Sequence, residues 1–270
     1  MIDSVVWKRA LAVCVLAWGA AAHSALPEAA QQDVQRRLDC YAAANPSTCE
    51  IALADSGSPF GRVHRGWSLM MGVEVDAATR ARAMEDLRSA AAEGYTPAYE
   101  SLAVLLRRGA GRSESLQWRW LAAEHGHAAA AKHLSGSIDL DGTDRQSAAD
   151  RMFLSWVYCH PASFDSDGPV MSQLNTARKA SPGADLAQVI AQVHAKRLNE
   201  AKAKAENFLG GCVAGAYYLG SLSPDDQAWV RKTVRARMVQ TLKNVKEAVR
   251  KFPDLELLTL PEYQDLLPPP

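Results

Sequence analysis

The sequence predicts an all-α protein, a short α-solenoid of helix–turn–helix repeats followed by a C-terminal pair of long helices. Three observations predict it. Alternating β-branched runs of the strand type are almost absent. Alanine-rich segments with apolar residues three and four apart dominate instead. A block of residues also recurs at a fixed offset of 32, with Ala90, Ala91, Gly94 and Ala98 matched by Ala122, Ala123, Gly126 and Ala130. Leu102 and Leu134 share that offset, as do Leu106 and Ile138. Recurrence at such a period is the signature of stacked hairpins, none of which buries its apolar face alone.

The 270 residues are 48% apolar and 22% charged, which suffices for a sizeable core. Residues 1–24 read as a cleaved signal peptide. Lys8 and Arg9 precede an apolar run from Ala10 to Ala22, and Ala22-His23-Ser24 fits a small-x-small cleavage site. That run is too short for a comfortable membrane span of roughly 20 residues. The chain carries 30 basic and 30 acidic residues; loss of Lys8, Arg9 and Asp3 leaves 28 and 29. So even a balance gives no global argument for nucleic acid or an anionic membrane, and no later segment has the length of an integral membrane span. The expected location is periplasmic or secreted.

Beyond the signal, four cysteines remain: Cys40, Cys49, Cys159 and Cys212. An even count in an exported chain points to disulfides. Three connectivities exist, of which Cys40–Cys49 with Cys159–Cys212 is preferred, against buried free thiols. No C-x2-C spacing supports a zinc site.

Residues 25–160 hold the repeats. In the clear unit, Gly94 and Gly126 stand where a helix should end, since glycine tolerates the left-handed C-cap. Paired alanines let two helices approach closely. The unit from Ala98 to Ala130 resembles the Sel-one-like repeat family, a subclass of tetratricopeptide-like solenoids. That family's pattern is Ala, three residues, Leu-Gly, two residues, Tyr, two residues and Gly-x-Gly. After a loop come Trp, three residues, Ala-Ala, two residues, Gly, three residues and Ala. This chain shows Ala98, Leu102, Ala103, Leu106, Gly109, Gly111, Trp118, Ala122, Ala123, Gly126 and Ala130. Ala103 replaces the usual Gly and Leu106 the usual Tyr, and a shorter loop follows Gly111. The unit upstream is degenerate, with Arg65 at a Leu position and Asp86 at the Trp position. The resemblance implies a helix pair stapled by Cys40–Cys49, and a protein that binds a protein segment in envelope assembly, secretion or host contact. On that implication the residues to test first on the repeat surface are Tyr95, Trp120, His125 and His127.

Residues 161–252 form a C-terminal helical extension. Its first part, to residue 183, is rich in Pro, Gly and Asp and reads as an inserted loop with at most a short helix. One long helix is expected from about Ala184 to Phe208. A second starts at Ser223-Pro224-Asp225-Asp226, with an N-cap, Pro at the first helical position and acids at the positive dipole end. It should run to Phe252. Residues 253–270 read as an acidic, Pro-ended, loosely attached tail.

The last long helix carries an apolar stripe of Val230, Val234, Met238, Leu242, Val245, Val249 and Phe252. Between residues 228 and 251 it also carries eight cations against one acid, Glu247. Arg235 and Lys246 are the candidates there for binding an anionic polysaccharide or a membrane surface. The competing reading is a capping helix with a solvated basic face, satisfied by Asp139, Asp141, Asp144 and Asp150.

No cofactor or metal is expected. His125, His127 and His133 read as a fortuitous cluster rather than a metal site. Cys159 beside His160 reads as a disulfide cysteine rather than a nucleophile. Asp139-Leu-Asp141-Gly142 and Asp165-Ser-Asp167-Gly168 read as turns rather than calcium loops. The chain lacks G-x-S-x-G, H-E-x-x-H and P-loop motifs, so the expectation is a non-enzyme, with a cell-wall hydrolase as the remote alternative.

Overall fold

The computed structural model describes residues 26–259, apart from 71–75, 108–110, 138–143, 161–162, 164–167 and 212–218. Cys212, the final residues and residues 1–25, which hold the expected signal peptide, therefore lie outside the described residues. Among the described residues there is no strand. The helices are α1 (Glu28–Ala42), α2 (Pro46–Asp55), α3 (Pro59–Met70), α4 (Ala77–Ala92), α5 (Pro97–Arg107) and α6 (Arg112–Glu124). There follow α7 (Ala128–Ser137), α8 (Arg145–Cys159), α9 (Gly168–Ala180), α10 (Leu186–Gly211) and α11 (Pro224–Lys251). A 3-10 turn (Pro253–Leu255) then leads to α12 (Glu256–Thr259).

Each helix from α1 to α8 packs on the next, as a solenoid requires. Short polar side chains set the starts. Asn45, Asp76, Asp144 and Ser223 accept from the N–H groups of Thr48, Thr79, Ser147 and Asp226 respectively. Glycine sets three of the ends. Gly57, Gly94 and Gly126 have φ of +86°, +86° and +82°. In each turn the glycine N–H donates to the carbonyl three residues back (Ala54, Ala91, Ala123). The next N–H donates five back, to Leu53, Ala90 and Ala122. This paired arrangement closes a helix end in the left-handed conformation. The repetition thus begins one unit earlier than the sequence match showed, at Gly57. Leu53-Ala54 stands there in place of Ala-Ala, which hid it.

The alanine pairs Ala90–Ala91 and Ala122–Ala123 are buried at these ends, beside fully buried Leu87, Leu102 and Leu134. Burial of that kind contributes roughly 25 cal/mol per Å² of apolar surface. The staple is present as well: Cys40 and Cys49 are disulfide-bonded, with Cα atoms 5.1 Å apart, joining α1 to α2. Closing so short a loop is worth roughly 3 kcal/mol in the chain-entropy model. Cys159 is also disulfide-bonded, and its expected partner Cys212 lies outside the described residues.

Two expectations are corrected. The insertion holds the full helix α9 rather than at most a short one. Val170, Met171 and Leu174 are buried at helical spacing, and Arg178 pairs with Asp39 at 3.1 Å, so α9 gains a tertiary face on α1 and α10 that its turn-rich composition did not announce. The tail is not loose at its start. Asp254, Leu255, Leu258 and Thr259 are all buried, and Arg197 donates to the Leu258 carbonyl at 3.0 Å. One continuous core runs from Leu26 to Leu258.

Candidate partner-binding surface

Helix α11 occupies the turn edge of the repeats. Of the stripe read from the sequence, Val230, Val234, Met238, Leu242 and Val245 are buried and Val249 and Phe252 half-buried, and Thr241 and Ala248 are buried beside them. It starts at α8, where Arg145 lies 4.6 Å above the Trp229 ring and pairs with Asp226 at 3.5 Å. Next, Arg237 binds Asp150 at 2.6 Å and Glu124 at 3.6 Å, and sits over the Phe153 ring. Asn244 donates to the Glu124 carbonyl at 3.0 Å, and Lys251 donates to the Glu93 carbonyl. These three polar contacts recur every seven residues of α11, a rise of about 10.5 Å. That is close to one interhelical spacing of roughly 8–10 Å. Val245 and Phe252, again seven apart, meet Gly126 and Tyr95 in the two successive turns. A helix with a seven-residue ladder thus matches a stack with one turn per repeat.

The far end is latched to α1. Arg37 is buried, pairs with Asp254 at 2.5 Å and Asp33 at 2.8 Å, and lies 4.0 Å over the Phe60 ring. The Tyr95 hydroxyl stands 3.4 Å from both Arg37 and Asp254. Sequence reasoning missed this latch, since Arg37 and Asp254 are 217 residues apart.

The four repeat-surface candidates fall beneath or beside α11. Tyr95 is 1% exposed, its ring edge-on to Phe252 at 5.3 Å. His127 is buried, and its Nδ1 accepts from the Ala130 N–H, capping α7. Burial, with His133 nearby, pushes its pKa down to about 3, so the ring is neutral. His125 is half-buried, with Nδ1 2.9 Å from the Leu121 carbonyl and the Tyr99 ring edge-on at 5.1 Å. Its pKa is lowered, chiefly by burial. Trp120 is half-buried, with Arg237 5.0 Å from its ring centre. A partner reaches Tyr95 or His127 only if α11 leaves.

The outer face of α11 is the reverse. Arg231, Lys232, Arg235, Lys243, Lys246 and Arg250 are exposed around Val239, itself 49% exposed. Arg231, Lys232, Lys243 and Arg250 make no ion pair among the described residues. Arg231–Arg235 and Lys246–Arg250 are like-charge pairs four apart, an arrangement that opposes the helix. Of the acids expected to satisfy the cations of α11, Asp150 does so for Arg237, whereas Asp144 caps α8. Asp139 and Asp141 lie outside the described residues, as do Asp165 and Asp167.

The histidines do not converge. His133 turns to Glu100 at 3.1 Å, and no group of metal-suited side chains occurs among the described residues. His160 packs 4.7 Å from the Trp156 ring, and Cys159 is held in its disulfide. Two buried ion pairs were also missed, Arg119–Glu100 at 3.4 Å and Arg65–Asp86 at 2.7 Å. The second had a signal: opposite charges at the Leu and Trp positions of one repeat.

Among the described residues no helix is long and apolar enough to cross a membrane. That and the Cys40–Cys49 disulfide are compatible with a periplasmic or extracellular location. No protein-family model matches the chain, and comparisons with curated proteins and with solved structures find no match either.

Proposed function

We propose that this chain is an exported, non-catalytic scaffold of the Sel-one-like kind that binds a macromolecular partner through the outer face of α11. One observation carries the reading. The apolar face of α11 is spent on the repeats, six of its eight cations are exposed around Val239, and Tyr95 and His127 of the repeats are buried beneath it. A scaffold whose turn edge is filled by its own helix has its accessible chemistry on that helix's other side. Arg231, Lys232, Lys243 and Arg250 make no ion pair among the described residues, and like charges gathered on one face create a field that attracts an anion.

The test is affinity capture from envelope extract by three forms of the protein. The Arg235→Glu, Lys246→Glu variant should lose the captured partner while it stays folded. The Trp120→Ala, His127→Ala variant should keep it for as long as it stays folded. The opposite outcome, with the turn variant folded but empty and the charge variant still loaded, would return recognition to the repeats and end this reading.

A further inference from the structure

We infer that the partner on α11 is a linear anionic polysaccharide lying along the helix axis. This rests on the outer face of α11 being the recognition surface, and it names the chemistry that face fits. From Arg231 to Arg250 the cations extend over about 28 Å of helix at 1.5 Å per residue. Arg231 and Arg235, and again Lys246 and Arg250, are about one helical turn apart. A glycan of uronate units presents one carboxylate per sugar ring, at a step comparable with that turn.

Two rival occupants fit less well. A protein partner draws its affinity from buried aromatic and aliphatic anchors. Within this face only Val239 is a large exposed apolar residue, and the other two such side chains among the described residues, Tyr41 and Tyr158, lie on α1 and α8. A membrane-surface helix needs an apolar face to insert. Here Val230, Val234, Met238, Leu242 and Val245 are already buried against the repeats, which leaves charge alone. A flexible polyanion needs neither anchor nor inserted face. It binds by releasing the counterions that four cations without an internal ion pair, Arg231, Lys232, Lys243 and Arg250, would displace.

The experiment measures binding of the purified chain to polygalacturonate, with dextran, poly-glutamate and phosphatidylglycerol vesicles as comparison probes. Binding to polygalacturonate should be tightest, and it should weaken steeply between low and physiological salt. Lys232→Gln, Lys243→Gln, Arg250→Gln should weaken it by roughly tenfold or more. The melting temperature should not fall, because neutralisation relieves repulsion. Glu247→Gln, which removes the one acid of this segment, should strengthen it several-fold. The inference is overturned by equal binding to dextran, by an unchanged affinity of the triple variant, or by tighter binding to poly-glutamate or vesicles. If polygalacturonate fails while extract capture still depends on Arg235 and Lys246, the polysaccharide is wrong and the surface stands. If capture fails too, both readings fall.

Discussion

In the hairpin of α5 and α6 the two helices meet through rings and aliphatic groups. Tyr99 stacks on Trp118 at 5.9 Å, meets His125 edge-on at 5.1 Å, and lies beside buried Leu102. In the hairpin of α3 and α4 the matching positions are charged. Arg62 stands where Tyr99 does and binds Glu93 at 2.6 Å. Arg65 stands where Leu102 does and binds Asp86 through two bonds of 2.7 Å. The turns, alanine pairs and glycines are the same in both. The backbone joint is therefore specified by small residues and turn chemistry, while the contacts between them are interchangeable if both partners change together. A buried charge pair is tolerated in the same geometry as a buried ring pair, but it is far less forgiving of losing one member.

The sharpest way to break that equivalence is Asp86→Ala. It leaves a buried Arg65 with only the Asp55 carboxylate, which is 64% exposed, and should cost about 3 kcal/mol in urea unfolding. A loss under about 1 kcal/mol would mean that Asp55 alone satisfies Arg65. Replacing both members, Arg65→Met with Asp86→Leu, should restore wild-type stability or exceed it, because the desolvation cost disappears with the charges.

Acid should separate the two turns next. His127 in the second turn occupies the place of Tyr95 in the first, 32 residues earlier. Its folded pKa is about 3, against about 6.5 for an unperturbed histidine. Between those values the unfolded chain takes up a proton that the folded chain refuses. The contribution is complete above pH 6.5 and is lost as pH falls towards 3. At pH 5 this amounts to about 2 kcal/mol relative to pH 7. Comparing wild type with His127→Asn, which keeps a capping acceptor and does not titrate, isolates the term. Equal slopes of stability against pH in the two proteins would refute it.

The glycines give a smaller contrast. At both Gly94 and Gly126 an L-residue would be strained by about 1–2 kcal/mol. A Cβ on Gly94 meets nothing within 4 Å, whereas one on Gly126 would lie 2.9 Å from Val245 of α11. Gly126→Ala should therefore destabilise more than Gly94→Ala. Equal losses would indicate that Val245 yields without cost.

What the sequence made legible follows from which interactions are local. The turns, the N-cap at Ser223 and the stripe from Val230 to Val245 depend on neighbours within one or two turns of helix, so period and cap residues reveal them. The position of α11 was not legible. Its stripe says that one face is buried, but the surface that buries it is set by contacts such as Lys251 to Glu93 and Asp254 to Arg37, more than 150 residues apart. That is why Tyr95 and His127 read as surface residues of a repeat. The rule placing them there holds for a bare stack, and this stack is covered. The basic side of α11 was legible as composition, and the fold adds which cations point outward.

The smallest contrast is also the most diagnostic, because salt reads the two chemistries differently. Tyr99→Leu keeps apolar area but removes the ring pair with Trp118, and should cost about 1 kcal/mol. Glu93→Gln removes the matching contact to Arg62, in which Glu93 is 42% exposed, and should cost at most about 0.5 kcal/mol at low ionic strength. In high salt the cost of Glu93→Gln should vanish, because a half-exposed ion pair is screened within a few ångströms, while that of Tyr99→Leu should persist. If both losses respond to salt alike, the two hairpins are not alternative solutions to one packing problem, and the ring contacts are held in place by the charges around them.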